Sequence, residues 1–236
     1  MDARSFASMG SDCRENDVDW SAVWVTTKLA IGTTLVLAAL GLPLAWWLAT
    51  TPSRAKVLVE AAVALPLVLP PTVLGFYILI ATAPDSFVAR TYETLTGGRL
   101  PFTFAGILVG SVLFNLPFAV RPFAAALAAV DRRLIEASWC LGESRLRTFG
   151  RVVVPLSWPG ILAGLVLTFA HKVGEFGVVL MVGGNIPGVT RTLSVAVYDD
   201  VQALDYAAAG TTALALVAFA LVALTAVHAL QRRVLP

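Results

Sequence analysis

Three side chains able to carry charge or a proton, His171, Lys172 and Glu175, stand inside one otherwise apolar stretch at roughly residues 158–182. An ionisable group in a spanning helix costs about 2.5–3.5 kcal/mol on insertion scales, so groups kept there need a partner or a task. Lys172 and Glu175 are spaced i, i+3, which on a helix puts them on one side and within reach of each other. Two readings stay open. The pair either holds two helices together, or it lines or gates a polar path. In an anion path, Lys172 and helix N-terminal amides would attract the ion, with Glu175 as counter-charge or gate element. His171 reads as a packing or hydrogen-bonding residue rather than a ligand.

Little else in the chain could do covalent chemistry. Cys13 and Cys140 have neither a CxxC partner nor a neighbouring His cluster, so metal and redox roles find no support. His228 has no partner visible in sequence, and there is no nucleophile–base pair. The phosphate-cradling pattern GxxxxGK[ST] is absent, and the Gly-rich stretch 183–188 contains no Lys. The expectation is a protein with no catalytic residue, no metal and no cofactor of its own, which does not itself hydrolyse ATP.

The elements that must position these groups are set by composition. Apolar residues make up 58% of the chain, charged residues 14%, and the mean hydropathy is +0.80. Soluble domains carry about 25% charge, so the excess points to a lipid solvent. The net charge of +2 is small and forms no basic stripe, so no nucleic-acid partner is expected. The stretches 29–48, 61–83, 100–120 and 206–230 hold no Lys, Arg, Asp or Glu, and each has about the 20 residues a hydrocarbon core requires. With 158–182, as one helix carrying a polar site or as two shorter segments, they predict an all-α polytopic protein with about five transmembrane helices. Pro66, Pro70 and Pro71 fall in the second stretch and predict a helix kink, tolerated only where protein or cavity water satisfies the freed carbonyls. Asn115-Leu116-Pro117 in the third span also fits helices that bend around a central path.

The acidic start (Asp2, Asp12, Glu15, Asp17, Asp19) does not suit a cleaved signal, so the first apolar block reads as a retained anchor. Orientation follows from Lys and Arg. Arg54, Lys56, Arg121, Arg132, Arg133, Arg145, Arg147, Arg151, Arg232 and Arg233 fall on one side. Arg4, Arg14, Lys28, Arg90, Arg99 and Arg191 fall on the other. The positive-inside rule places the N-terminus outside, with residues 1–20 as an external acidic segment, and the C-terminus in the cytoplasm. Cys13 and Cys140 then lie on opposite sides of the membrane. No internal repeat is present, and residues 21–236 read as one domain.

The longest polar segment, about 121–157, falls on the cytoplasmic side. Asp131 can cap a short helix through Leu134, Glu136, Ala137, Ser138 and Leu141, which Gly142 is placed to end. A second short helix is expected from Ser144 to about Arg151, before Pro155 and Pro159 turn the chain back into the membrane. Leu134, Ser138 and Leu141 share a face at i, i+4, i+7, low in profile, of a kind that docks in a partner's groove or lies on its own helix ends. Glu136-Ala137-Ser138, three residues, Gly142, nine residues, then Val152-x-Val154-Pro155 resembles the cytoplasmic signature of bacterial ABC-importer permeases. That signature reads Glu-Ala-Ala, x3, Gly, x9, Ile-x-Leu-Pro. The resemblance implies coupling helices that dock on an ATPase subunit through Glu136, Ala137, Ser138, Leu141, Gly142 and Pro155.

The run from Leu65 to Tyr77, LPLVLPPTVLGFY, resembles the second helix of molybdate permeases. Gly174-Glu175-Phe176-Gly177, Gly183-Gly184-Asn185-Ile186-Pro187-Gly188 and Thr190-Arg191-Thr192 are similar to the same subgroup. Asn185 joins Lys172 and Glu175 as a candidate path or gate residue. The resemblance implies a cell (inner) membrane permease importing molybdate or tungstate by alternating access. It also implies a homodimer, ATP on a separate cytoplasmic subunit, and an external oxyanion-binding protein. A sulfate or thiosulfate permease of the same family and a self-contained ion-coupled carrier are the alternatives.

Overall fold

The computed structural model describes residues 19–234, and these are all helical or loop. Cys13 and nearly all of the acidic segment 1–20 lie outside the described residues. The first helix, α1 (Trp20–Thr50), starts where Asp19 Oδ1 accepts the amides of Ser21 at 3.0 Å and Ala22 at 3.2 Å. This satisfies donors that a helix start leaves open. At about 1.5 Å per residue its 31 residues are long enough to cross a hydrocarbon core.

The second apolar block is two helices, α2 (Ala55–Val68) and α3 (Pro71–Ala81), bent by 114°. The expected kink is therefore a break. Leu69 and Pro70 each precede a proline, and steric clash drives such residues out of the helical region; their ψ angles are 135° and 136°. Pro71 then opens α3, where its missing N–H costs nothing. Pro66 stays inside α2.

A short exposed helix, α4 (Phe87–Thr96), leads to α5 (Phe104–Ala128), capped by Thr103. The helix α5 runs past Arg121, so the polar segment is shorter than its composition suggested. After α6 (Arg132–Cys140), α7 (Arg145–Thr148) passes through a π-helical turn, Phe149–Val153, into α8 (Val154–Val173) without a reversal. Pro155 and Pro159 thus do not turn the chain; Arg145–Val173 is a single 29-residue apolar helix. Val154 N–H bonds to Phe149 C=O, five residues back, and the wider turn leads Pro155 into the first turn of α8, where proline is tolerated. The chain breaks at 174–176 and continues as α9 (Gly177–Gly183), α10 (Leu193–Gln202) and α11 (Tyr206–Val234).

The five apolar blocks appear as three long helices, the bent pair α2–α3, and α11, whose Tyr206–Val222 part is apolar. The centre of the bundle is α5, which packs on α1, α8, α9 and α2. Leu37, Leu48, Val63, Val120, Phe123, Val153 and Ile161 form one core, and Val25, Leu29, Ile107, Val179 and Val195 a second. Lipid offers helices no hydrophobic drive to associate, so close packing must supply it. The α5–α8 crossing shows this: a Cβ at Gly160 would lie 2.5 Å from the Cβ of Ala126.

Candidate functional site

The polar groups of the apolar stretch do not sit in mid-helix. Lys172 lies in the last turn of α8, and Glu175 lies in the break before α9. Lys172 Nζ is 3.3 Å from Glu175 Oε2, and the residues are only 2% and 4% exposed. Two α5 residues complete the shell of the carboxylate. Asn115 Nδ2 donates to Oε2 at 2.6 Å, and Ser111 Oγ donates to Oε1 at 3.3 Å. Ser111 and Asn115 are one helical turn apart, so both meet the same carboxylate, and both are fully buried. His171 Nδ1 donates to Asn115 Oδ1 at 2.8 Å, and its ring stacks on Phe118 at 3.7 Å between centroids. A buried ion pair needs this number of hydrogen bonds to offset the loss of water.

The structure does not bring Asn185 to this cluster. It lies in the turn beyond the seven-residue α9. That turn is held by Thr190, whose hydroxyl donates to Gly183 C=O at 2.7 Å and accepts the Ile186 amide at 3.2 Å. Nearby, Arg191 pairs with Asp199 of α10 and, at 3.7 Å, with Asp19 at the head of α1. Burial pushes the Asp19 carboxyl up. The hydrogen bonds from Ser21 and Ala22 and the charge of Arg191 outweigh this and hold it below its ordinary value.

At the other end of the long helix, α6 and α7 form a hairpin. Asp131 caps α6 by accepting the Arg133 amide at 2.9 Å, and Ser144 caps α7 by accepting that of Arg147 at 3.3 Å. Gly142, at φ +83°, ends α6: its amide bonds to Trp139 C=O and that of Glu143 to Ser138 C=O, a Schellman closure. Glu143 then reaches Arg147 at 3.2 Å and Arg151 at 3.3 Å. Glu136 and Ala137 are exposed, with Glu136 paired to Arg132 at 3.2 Å, and Pro155 is exposed at the start of α8. Leu141 is 85% exposed and Leu146 80%. Ser138 is not on that surface. It is buried, and its hydroxyl bonds to Thr148 Oγ1 of α7 at 2.9 Å, so the face expected from Leu134, Ser138 and Leu141 is split.

Sequence reasoning missed Ser111, the part Asn115 plays in the cluster, and Thr148. Two polar residues at i, i+4 in a charge-free span were the available signal for the first pair. Cys140 is exposed on α6 as a free thiol. Among the described residues, no three of His, Cys, Asp and Glu gather as a metal site.

Residues 41–236 match the family model described as binding-protein-dependent transport system inner membrane component. The molybdenum transport system permease protein ModB of Azotobacter vinelandii is 48% identical over 91% of this chain and 95% of its own length. The protein of the same name from Escherichia coli K12 is 34% identical over 79% of this chain and 81% of its own. Among solved structures, the inward-facing MetNI methionine ABC transporter matches with a TM-score of 0.71 over all of both chains at 19% identity, a likeness of fold.

Proposed function

The chain belongs to the binding-protein-dependent transport system inner membrane components, and from that membership we propose that it is the permease subunit of an ATP-driven molybdate importer. It is a multi-pass inner-membrane protein rather than an enzyme, and in this family ATP is hydrolysed on a separate subunit. Permeases of such importers work with an ATPase and a binding protein. The identity to molybdenum permeases over nearly the whole chain supports molybdate as the cargo.

In this reading residues 21–236 form one transmembrane domain whose coupling segment lies within 121–157. The N-terminus, with its acidic segment 1–20, faces outward, and the C-terminus faces the cytoplasm. Two copies enclose the path, since a chain without internal repeats supplies only one half of a two-fold bundle. An external oxyanion-binding protein delivers the anion. One observation carries the coupling step: the α6–α7 hairpin, with Leu141 and Leu146 exposed, is continuous with the apolar helix Arg145–Val173. A push on the hairpin is therefore a push on a membrane helix. ATP-driven closure of the ATPase pair would tilt that helix and open the path alternately to each side.

The test is uptake of labelled molybdate by vesicles holding the reconstituted importer. ATP-dependent uptake, with tungstate competing better than sulfate, is expected. Stronger competition by sulfate would reassign the cargo, and uptake driven by an ion gradient without ATP would overturn the reading.

A further inference from the structure

Glu175 stands where four elements meet. Its carboxylate takes hydrogen bonds from Ser111 and Asn115 of α5 and pairs with Lys172 of α8. Its backbone carbonyl accepts the Ser194 hydroxyl, at the head of α10, at 2.6 Å. Two residues later α9 begins at Gly177, so close to α3 that a Cβ there would lie 2.8 Å from the Cβ of Pro71. The first amide of α10, Leu193 N–H, donates to Thr26 Oγ1 of α1 at 2.9 Å.

We infer that Glu175, neutralised by Lys172, is a positioning residue for transport, fastening the break between α8 and α9 to α5, and that the Lys172 charge is not a ligand for the anion. This rests on the reading of the chain as an ATP-driven permease. Both carboxylate oxygens are engaged, and Lys172 is 2% exposed. To bind an anion, Lys172 would have to leave Glu175 as an unpaired charge in a dry interior, a state that folded proteins avoid. A joint has a clear use here. The helix Arg145–Val173 spans about 43 Å from the coupling hairpin to its end beside Lys172. Unwound backbone at 174–176 would absorb its displacement unless tied down. With Glu175 held on α5, motion of α8 passes to α9, and through the Gly177–Pro71 contact to α3 and the break at Pro70.

The test uses the full chain in the reconstituted importer, reading maximal molybdate uptake, the half-saturating molybdate concentration and the thermal midpoint of the purified permease. Lys172→Met strands the carboxylate and should lower maximal uptake by about tenfold or more. The neutral pair Lys172→Met/Glu175→Gln, which removes both charges together, should return uptake to within about threefold of wild type, with half-saturation unchanged. A double variant of normal midpoint whose half-saturating concentration rises about tenfold overturns the inference, because Lys172 then binds the anion. Should the double variant not reach the membrane, Ser111→Ala and Asn115→Ala decide. Each should lower the midpoint and maximal uptake and leave half-saturation alone. An unchanged midpoint, or a shift confined to half-saturation, overturns it. Absence of molybdate uptake in the wild type would count against the functional reading instead, and the two midpoints would still test the joint.

Discussion

Ser138 on α6 and Thr148 on α7 share a buried hydrogen bond of 2.9 Å, ten residues apart across the α6–α7 hairpin. The hairpin is also held by Arg145 of α7 over the Trp139 ring of α6, 5.7 Å from its centroid, and by the pairs of Glu143 with Arg147 and Arg151, which water screens. Among these contacts the Ser138–Thr148 bond is the buried one, and it ties α6 to the long helix that follows. Ser138→Ala should leave the Thr148 hydroxyl buried without a partner and destabilise the hairpin by about 1–3 kcal/mol. Adding Thr148→Val should restore most of it, since removing both partners is nearly neutral. Native-state proteolysis after Arg145 and Arg147 reads the difference. Equal cleavage of single and double variants would show that the bond is not what holds the hairpin.

Gly142 is required for its backbone, not for space. Its φ is +83°, and a Cβ added there meets nothing within 4 Å. Gly142→Ala should therefore cost about 1–2 kcal/mol by forcing a side chain into the left-handed region, with Asn, which tolerates it, costing less. In the same proteolysis assay cleavage should rise from Gly to Asn to Ala. A more protected alanine variant would mean that the chain reaches this turn by another conformation.

Glu136 is exposed, and among the described residues its side chain bonds only to Arg132, so its removal should barely change stability. Glu136→Lys should leave the protein in the membrane at wild-type amounts and uncouple transport from ATP hydrolysis. Uptake and ATPase activity measured on one preparation check this. Normal uptake by the variant would remove Glu136 from the proposed contact with the ATPase.

The membrane blocks were legible because a long run without Lys, Arg, Asp or Glu suits a lipid solvent and little else. The hairpin was legible from Asp131, Gly142 and Ser144, whose cap roles depend on local chemistry alone. Two things were not. Arg145, Arg147 and Arg151 made the segment from Ser144 to about Arg151 look like a separate short helix, although it is the start of the long helix Arg145–Val173 and Glu143 gathers two of the arginines on one helical surface. Prolines 155 and 159 look like breakers, yet a π-helical turn ahead of the first admits it to a helix. The Glu175 cluster joins residues 60 and 64 positions apart, and such pairing depends on how α5 lies on α8, which no local pattern records.

Asp19 gives its contact with Arg191 a pH dependence. Its folded carboxyl titrates below its ordinary value of 3.8, held down by Ser21, Ala22 and Arg191 against the effect of burial. A depressed carboxylate contributes stability that is fully present above the unfolded value and is lost as pH falls through the lowered folded one. The group is partly exposed, so water screens it and the effect is small. The thermal midpoint of wild type should fall slightly more than that of Asp19→Asn between about pH 5 and about pH 2. Parallel curves would place the acid sensitivity elsewhere.

Gly160 and Ala126 set how closely α8 lies on α5, and the Glu175 cluster depends on that distance. A Cβ on Gly160 would fall 2.5 Å from the Cβ of Ala126 and 3.5 Å from its Cα, so a flexible side-chain end cannot move aside to relieve it. Gly160→Leu should force the helices apart and lower stability by about 1–3 kcal/mol, the range for overpacking. Gly160→Ala should do less, and Gly160→Ala/Ala126→Gly should recover, because the exchange keeps one methyl in the crossing. Separation at this point also moves Lys172, farther along the same helix, away from Ser111 and Asn115. Gly160→Leu should therefore reduce maximal uptake at an unchanged half-saturating concentration. A midpoint for Gly160→Leu equal to wild type would mean that α5 and α8 are not in close contact at this crossing in the membrane.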